Sequence, residues 1–469
     1  MYVEQLYTGC IAVGTYYIES NGEAIVIDPL RDPSPYMKMA AERDAKITYV
    51  ILTHFHADFI SGHVDLAQKT GATIVYGPTA QADYEFHSGT DGEIFEVGDV
   101  TLELMHTPGH TLESSSFLLR NEAGKMEALF TGDALFIGDV GRPDLAIKSD
   151  LTEKDLAGML FDTLRNKIMP LPDEVIIYPN HGAGSSCGKN LSSETFDTLG
   201  NQKLTNYALR ADMTKEEFIT DITTGLTAPP QYFPKAARKN KGGVSNFDDV
   251  LIRGMQPISP KELNNKMSED YLVLDTRFEE EFTKGFIPQS MFIGIDGNFA
   301  MWVGAVIENI NQKIIIVTEP GREAEVITRL SRVGYDHCVG YLEGGFDAWK
   351  NAGYDIDSIE NISASELSKL HRPMSIVDVR AQGEWQSQQV KGAYHWPLVR
   401  INDAIDSLSR EVKHYVHCAG GYRSVIAASI MKRNGFDGAN IVNVMGGFDR
   451  ILMSDLPVTD FGCPSNLLS

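Results

Sequence analysis

A unit of roughly a hundred residues is written twice in the C-terminal half of the chain, which argues for separate domains rather than one shared core. LVLDTRFEEEF at Leu272 returns as SIVDVRAQGEW at Ser375, and YLEGGFDAWKNAGYDI at Tyr341 returns as VNVMGGFDRILMSDLPV at Val442. Two tandem domains are therefore expected at 255–356 and 358–469. Within each, β-rich runs such as YLVLD, KIIIVT, SIVDV and HYVHC alternate with helical stretches such as REAEVITRLSRVG and RSVIAASIMKRNG. That alternation predicts an α/β fold with a parallel sheet and helices on both faces, whose ligand sites lie at the carboxyl ends of strands. Ahead of the repeat, TAPPQYFPKAARKNKGGVSN is dense in Pro, Gly and Lys and reads as a linker with neither helix nor central strand.

The remaining segment, 1–245, opens with the strand-like GTYYIES, a turn at Asn21-Gly22 and EAIVIDP, a strong hairpin signal. ITYVILT, ATIVYG, TLELMHT, SSFLLR, EALFTGD and EVIIYPNH follow, with helical material between them. Strands that repeatedly end in His or Asp predict two packed sheets whose loops gather ligands at one edge, with more antiparallel pairing than in the repeats.

Of 469 residues, 41 are Lys or Arg and 64 are Asp or Glu, for a net charge of -23. Such a surface repels phosphate backbones and anionic lipid heads, and no basic cluster exceeds KAARKNK at Lys235, so neither nucleic acid nor membrane is an expected partner. No apolar run approaches the roughly 20 residues that cross a bilayer. The opening residues lack the basic start and apolar block of a secretory signal, and a cytoplasmic location is the expectation. Five scattered cysteines, Cys10, Cys187, Cys338, Cys418 and Cys463, read as free thiols rather than a disulfide framework.

The metal signal lies in THFHADFISGH, which supplies His54, His56 and Asp58 directly after a strand; His110, Asp133 and His181 then appear as later strands end. A lone histidine is ordinarily a satisfied surface or core residue, and His63, His87, His106, His337 and His371 are read that way. Imidazoles and carboxylates converging from successive strand ends are what a metal ion requires.

These residues resemble the metallo-β-lactamase fold, an αββα sandwich, over essentially the whole first segment. That family's motif is HxHxDH followed by a His, a bridging Asp and a last His, which together build a dinuclear zinc site. Here the sixth position is Phe59, so the second site lacks an imidazole and keeps Asp58, His181 and a share of Asp133. Two His and one carboxylate with open positions form the facial triad of non-haem Fe(II) oxygenases. The more specific resemblance is to persulfide dioxygenases, which implies that His54, His110 and Asp133 hold one Fe(II) per chain, with zinc able to substitute. His56, Asp58 and His181 then support the ligands or hold a second metal. GRPDL resembles an element of the same family and places Arg142 near the anionic end of the substrate. Phe59 also has a plain reading, as core on a helix beginning at Asp58 beside a weak zinc site.

In the second repeat, HYVHCAGGYRSVIAASIM runs from a strand through Cys418 and a small-residue loop to Arg423 and a helix. Such a loop aims backbone N–H groups inward at a helix N-terminus, an environment that favours a thiolate and a bound anion. The pattern resembles rhodanese, in which a loop cysteine accepts the outer sulfur of a persulfide or thiosulfate. Cys418 and Arg423 are then catalytic, with Gly420, Gly421, Tyr422 and Ser424 binding substrate. The Cys–four–Arg spacing is tighter than the phosphatase loop and favours a small sulfur anion. In the first repeat the matching stretch, Thr318-Glu319-Pro320-Gly321-Arg322, has no cysteine, carries a carboxylate where an anion would bind and loses a donor at Pro320. It reads as a spacer or docking surface.

The whole chain resembles persulfide dioxygenase–rhodanese fusions. The resemblance implies oxidation of a small thiol persulfide by O2 to sulfite, coupled to sulfur transfer among persulfide, sulfite and thiosulfate through Cys418. The rival readings are a dinuclear zinc thioester hydrolase of glyoxalase II type with an accessory rhodanese module, and a non-catalytic sensor. The tail FGCPSNLLS is placed to cross to a neighbour in a homo-oligomer.

Overall fold

A computed structural model of the chain describes residues 1–145, 151–226, 228–267, 269–370 and 374–462. His371, Cys463 and the tail from 463 onward lie outside the described residues. The chain divides into two compact units, the first essentially 1–247 and the second containing both repeats.

In the first unit, strands β1 (Tyr2–Thr8), β2 (Val13–Ser20), β3 (Glu23–Ile27), β4 (Lys46–Ile51), β5 (Thr73–Tyr76) and β6 (His87–Ser88) form one sheet in sequential order. A second sheet runs β12-β11-β10-β9-β8-β7, from β7 (Ile94–Val97), β8 (Val100–His106), β9 (Ser115–Arg120), β10 (Met126–Gly132), β11 (Ile176–Pro179) and β12 (Asp197–Thr198). Asn21 and Gly22 take positive φ (47° and 78°) and close the β2–β3 hairpin.

Strand alternation explains the layers. Tyr16, Ile18, Ile25 and Ile27 point between the sheets to meet Leu102, Leu104, Phe117 and Phe130. Their neighbours Tyr17, Ala24 and Val26 point outward, under the helices Ser34–Glu42 and His63–Thr70. On the far side Leu118, Leu129 and Ile177 pack under the helix Glu153–Thr163. Both faces of these strands are buried, hence their continuous apolar runs. Each such side chain contributes roughly 1.5–3 kcal/mol on burial. The result is an αββα sandwich.

The segment expected to be a linker is a helix, Phe233–Gly242. Pro234 is tolerated because it sits in the first turn, where a backbone N–H has no helical acceptor in any case. Phe233, Ala236 and Asn240 recur on one face and are buried, and that burial outweighs the weak local propensity. The plain reading of Phe59 also needs correction: the helix after the motif begins at His63, not Asp58.

In the second unit the repeats share one topology. β13 (Pro257–Ile258), β14 (Tyr271–Asp275), β15 (Met291–Phe292), β16 (Lys313–Val317) and β17 (Cys338–Leu342) lie in the order β13-β17-β16-β14-β15. β18 (Glu360–Ser363), β19 (Ser375–Asp378), β20 (Tyr394–His395), β21 (His414–His417) and β22 (Ile441–Met445) lie in the order β18-β22-β21-β19-β20. Every pairing within these two sheets is parallel. Arg277 forks onto Asp275 and the Gly285 carbonyl, and Arg380 onto Asp378 and the Gln388 carbonyl. The repeated Asp-x-Arg is thus a lock of the fold, present with or without the cysteine. Among the described residues, no helix is long and apolar enough to cross a membrane.

Candidate active sites

One edge of the sandwich collects the strand-end residues. His54 follows β4, His110 lies in the loop after β8, Asp133 follows β10 and His181 follows β11. All four, with His56 and Asp58, are buried. His54, His110 and Asp133 each bring a donor atom within 4.8 Å of the others. Asp133 Oδ2 is 3.4 Å from His110 Nε2 and 3.9 Å from His54 Nε2. Its other oxygen faces His181 Nε2 at 3.5 Å, and that nitrogen is also 3.5 Å from Asp58 Oδ2. Asp58 and His181 form a second group of three donors with Cys187.

Tautomers follow from the partners, because a carbonyl can only accept. His110 Nδ1–H donates to the Arg142 carbonyl at 2.8 Å, and His181 Nδ1–H to that of Ala12 at 3.1 Å. Thr53 gives its hydroxyl proton to Asp28 Oδ2 at 2.8 Å, so His54 Nδ1–H donates to Thr53 Oγ1 at 3.0 Å. Each of these three imidazoles therefore turns a bare Nε2 toward Asp133. His56 is tied the other way, its Nε2–H donating to Asp28 Oδ1 at 2.9 Å. Burial holds the His54 pKa well below its ordinary value, helped by the neighbouring imidazoles His56, His110 and His181. At His56, burial also opposes protonation, but the charge and hydrogen bond of Asp28 outweigh it and the pKa is raised.

Both Asp133 oxygens, His181 Nε2, Asp58 Oδ1 and His56 Nδ1 are buried without a hydrogen-bond partner. An unpaired buried polar atom costs about 1–3 kcal/mol, and more when charged. A divalent cation would satisfy several of these atoms at once, so the donor set fits a metal ion.

Several supporting residues were not singled out from sequence. Asp28 accepts from Thr53 N, Thr53 Oγ1, His56 and Asn180, and so fixes the motif's backbone and two of its side chains. Its signal was a further strand ending in Asp. Asn240, on the helix taken for a linker, donates to the His56 and Phe59 carbonyls at 2.8 Å each and accepts from Ser61 N. Gly141 has no room for a side chain, since a Cβ there would lie 2.0 Å from the Asp133 carbonyl oxygen and 3.1 Å from His110 Nδ1. Cys187 is buried, and burial, followed by the charges of Asp58 and Asp133, pushes its thiol pKa well up.

Other predicted residues take definite places. The Arg142 guanidinium is buried and forked onto Asp144 at 2.6 and 2.7 Å, so its contact with the metal group is through its carbonyl. Phe59 is fully buried and stacks on His56 with ring centroids 4.3 Å apart. His63 bonds Tyr84 at 2.7 Å, and burial pushes its pKa down to about 3. Cys338 is buried on β17, which pushes its thiol up to about 12.

In the second unit, Cys418 directly follows β21 and is buried. Gly421 N–H donates to its Sγ at 3.1 Å, and Ser424 Oγ lies 3.7 Å away at the start of the helix Tyr422–Arg433. Phe448 and Asp449, in the GGFD stretch, donate N–H to the carbonyls of Cys418 and Ala419. Arg423 is forked onto Glu384 at 2.7 and 2.8 Å, and that bond raises its pKa. Gly420 is exposed and has open space beside its Cα. Tyr422 turns away from the loop and donates its hydroxyl to the Gly294 carbonyl at 2.7 Å. In the first repeat, Gly321 N–H is taken by Glu323 and Arg322 by Asp296, so carboxylates already hold the N–H and the guanidinium that an anion would need.

Comparisons with known proteins match this geometry. The Metallo-beta-lactamase superfamily profile covers residues 8–181, and the Rhodanese-like domain profile covers 259–352 and 363–454. A crystal structure of a metallo-beta-lactamase from Staphylococcus aureus subsp. aureus COL is 32% identical, with a TM-score of 0.63, over 73% of this chain and 98% of that one. A probable hydroxyacylglutathione hydrolase of Schizosaccharomyces pombe is 31% identical over 41% of this chain and 72% of its own length. The human mitochondrial persulfide dioxygenase is 30% identical over 38% of this chain and 67% of its own.

Proposed function

The chain belongs to the metallo-beta-lactamase superfamily and carries two rhodanese-like domains, and from that premise we propose that it is a cytoplasmic persulfide dioxygenase with sulfurtransferase activity. In this reading, 1–245 oxidises a low-molecular-weight thiol persulfide, 255–356 is a rhodanese-like domain that lacks the loop cysteine, and 358–469 transfers sulfane sulfur. One O2 and one water convert the outer sulfur to sulfite and release the thiol. The observation that carries the reading is the His54–His110–Asp133 group, two imidazoles and one carboxylate with bare donor atoms turned together. Ferrous iron held there would supply open positions and redox chemistry for O2 beside an anionic sulfur, whose own oxidation supplies the electrons.

The chain's own residues do the rest. Thr53 and the Arg142 carbonyl keep His54 and His110 in the tautomer that leaves Nε2 free. An anionic substrate reaches the Arg142 guanidinium in competition with Asp144 and the Ser186 carbonyl. In the second unit, the Cys418 thiolate attacks the outer sulfur of a persulfide or thiosulfate, breaks its S–S bond to release the thiol or sulfite and becomes a persulfide, while Gly421 N–H bonds the attacking sulfur. Sulfite then takes that sulfur to give thiosulfate, so the product of one activity is the acceptor of the other.

The Asp58–His181–Cys187 group favours a second reading, a dinuclear zinc thioester hydrolase, and the S. pombe relative is named a probable hydroxyacylglutathione hydrolase. Metal content and oxygen uptake separate them. Protein purified under reducing conditions is expected to hold about one iron per chain and to consume O2 with glutathione or coenzyme A persulfide, yielding sulfite. Two tightly held zinc ions with thioester hydrolysis and no O2 uptake would overturn the dioxygenase assignment.

A further inference from the structure

The helix behind the Cys418 loop is held along one face by the first repeat, whose own loop has no cysteine. At its first residue, Tyr422 donates to the Gly294 carbonyl and sets its ring against Phe292 with centroids 5.8 Å apart. One helical face later, Ser429 Oγ accepts from Phe292 N–H at 3.0 Å, and at the helix end Arg433 donates to the Gln289 carbonyl at 2.9 Å. Positions 422, 429 and 433 share a face, so β15 and its flanking loops act as a rail for the whole helix.

The fit at Tyr422 is close. A Cβ at Gly297 would lie 2.5 Å from Tyr422 Cζ and 2.7 Å from its hydroxyl. Burial raises the Tyr422 pKa, so the phenol stays a donor. A second route also reaches the thiol. Ser424 donates to Asn443 at 2.7 Å, Asn443 to Asn361 at 2.9 Å, and Asn361 to Thr283 Oγ1 of the first repeat at 3.0 Å. Ser424 and Gly421, whose Oγ and N–H lie 3.7 and 3.1 Å from Cys418 Sγ, therefore flank or begin these contacts.

We propose that the repeat without a loop cysteine is a positioning part of the sulfur-transfer site: through Tyr422 and the Ser424–Asn443–Asn361 chain it holds Gly421 N–H and Ser424 against Cys418. Tyr422, Gly294, Gly297 and Thr283 are positioning residues, and none of them touches the transferred sulfur. The inference rests on Cys418 being the sulfur carrier.

Full-length Gly297→Ala and Tyr422→Phe proteins test it. The first pushes Tyr422 without altering the cysteine loop, and the second removes only the hydroxyl bond. The readouts are the rate of Cys418 alkylation by iodoacetamide at fixed pH, kcat and KM for sulfur transfer from thiosulfate to cyanide, and Tm. Gly297→Ala is expected to lower alkylation and kcat on the order of tenfold, the scale of a small misplacement of reacting groups. Tyr422→Phe should lower them about threefold, the scale of one neutral hydrogen bond. KM should change less than twofold, roughly, because substrate contacts are untouched.

Wild-type alkylation and transfer rates in both variants overturn the proposal, as does a fall in Tm with unchanged rates per folded molecule. If Gly297→Ala does not fold, Tyr422→Phe decides alone by the same criteria. Slower alkylation in the variants of a protein that transfers no sulfur supports the positioning while sinking the sulfur-carrier reading, so the two failures are distinguishable.

Discussion

Replacing Cys418 by serine is expected to abolish sulfur transfer from thiosulfate or persulfide while O2 consumption with a persulfide substrate continues. The loop holds one nucleophile. Its sulfur accepts the Gly421 N–H bond, and a serine hydroxyl neither ionises near neutral pH nor forms a persulfide. The loss should be roughly a thousandfold or more, the scale seen when an activated nucleophile is removed. The variant should accumulate sulfite where the wild type yields some thiosulfate. Glu319→Ala, in the loop that has no cysteine, should leave both activities alone. Continued labelling of Cys418→Ser with sulfane sulfur would mean that another thiol is the acceptor. Cys187, already among the donors beside Asp58 and His181, is then the first to examine.

Asp133→Ala is expected to reduce iron from about one per chain to under roughly a tenth, since even the loss of a residue supporting a ligand costs 10–100-fold in metal affinity. Both oxygens of Asp133 are buried and unbonded, one turned to His110 and His54, the other to His181. Alanine leaves the bare imidazole nitrogens with no counter-charge between them, and O2 uptake should disappear with the metal. Asp58→Ala should cost less, because Asp58 lies against His181 and outside the His54–His110–Asp133 group. Metal analysis of the two variants side by side checks the order, and equal losses would place Asp58 among the ligands.

The features legible in sequence are those that repeat or recur at fixed positions. The duplicated Asp-x-Arg and Gly-Gly-Phe-Asp stretches marked two domains because each motif closes the same local structure in both copies. His54, His110, Asp133 and His181 stood out because each directly follows a strand or its loop. What escaped notice depends on contacts far along the chain. Asn240 looked like part of a Pro- and Lys-rich linker, since nothing local shows that positions 233, 236 and 240 will find a surface to cover. Tyr422 was read as facing the substrate because its loop neighbours do, but a helix turns its first side chain by its own geometry, and here that direction meets Gly294. Cys187 gave only a weak signal, six residues after His181, and its approach to Asp58 depends on how the loop folds back.

The Asn240 clamp sets an order of events during synthesis. The HFHADFIS loop is translated early, yet three of its backbone groups, the carbonyls of His56 and Phe59 and the N–H of Ser61, are bonded by a side chain encoded about 180 residues later. A nascent chain stopped before that residue carries every candidate metal ligand but not the bolt that fixes their loop. Metal capture in the finished geometry is thus a late event, after the last strand of the sandwich has left the ribosome. A fragment ending at residue 230 should bind metal more weakly than one ending at 247, and equal binding by the two would show that the ligands organise without the bolt.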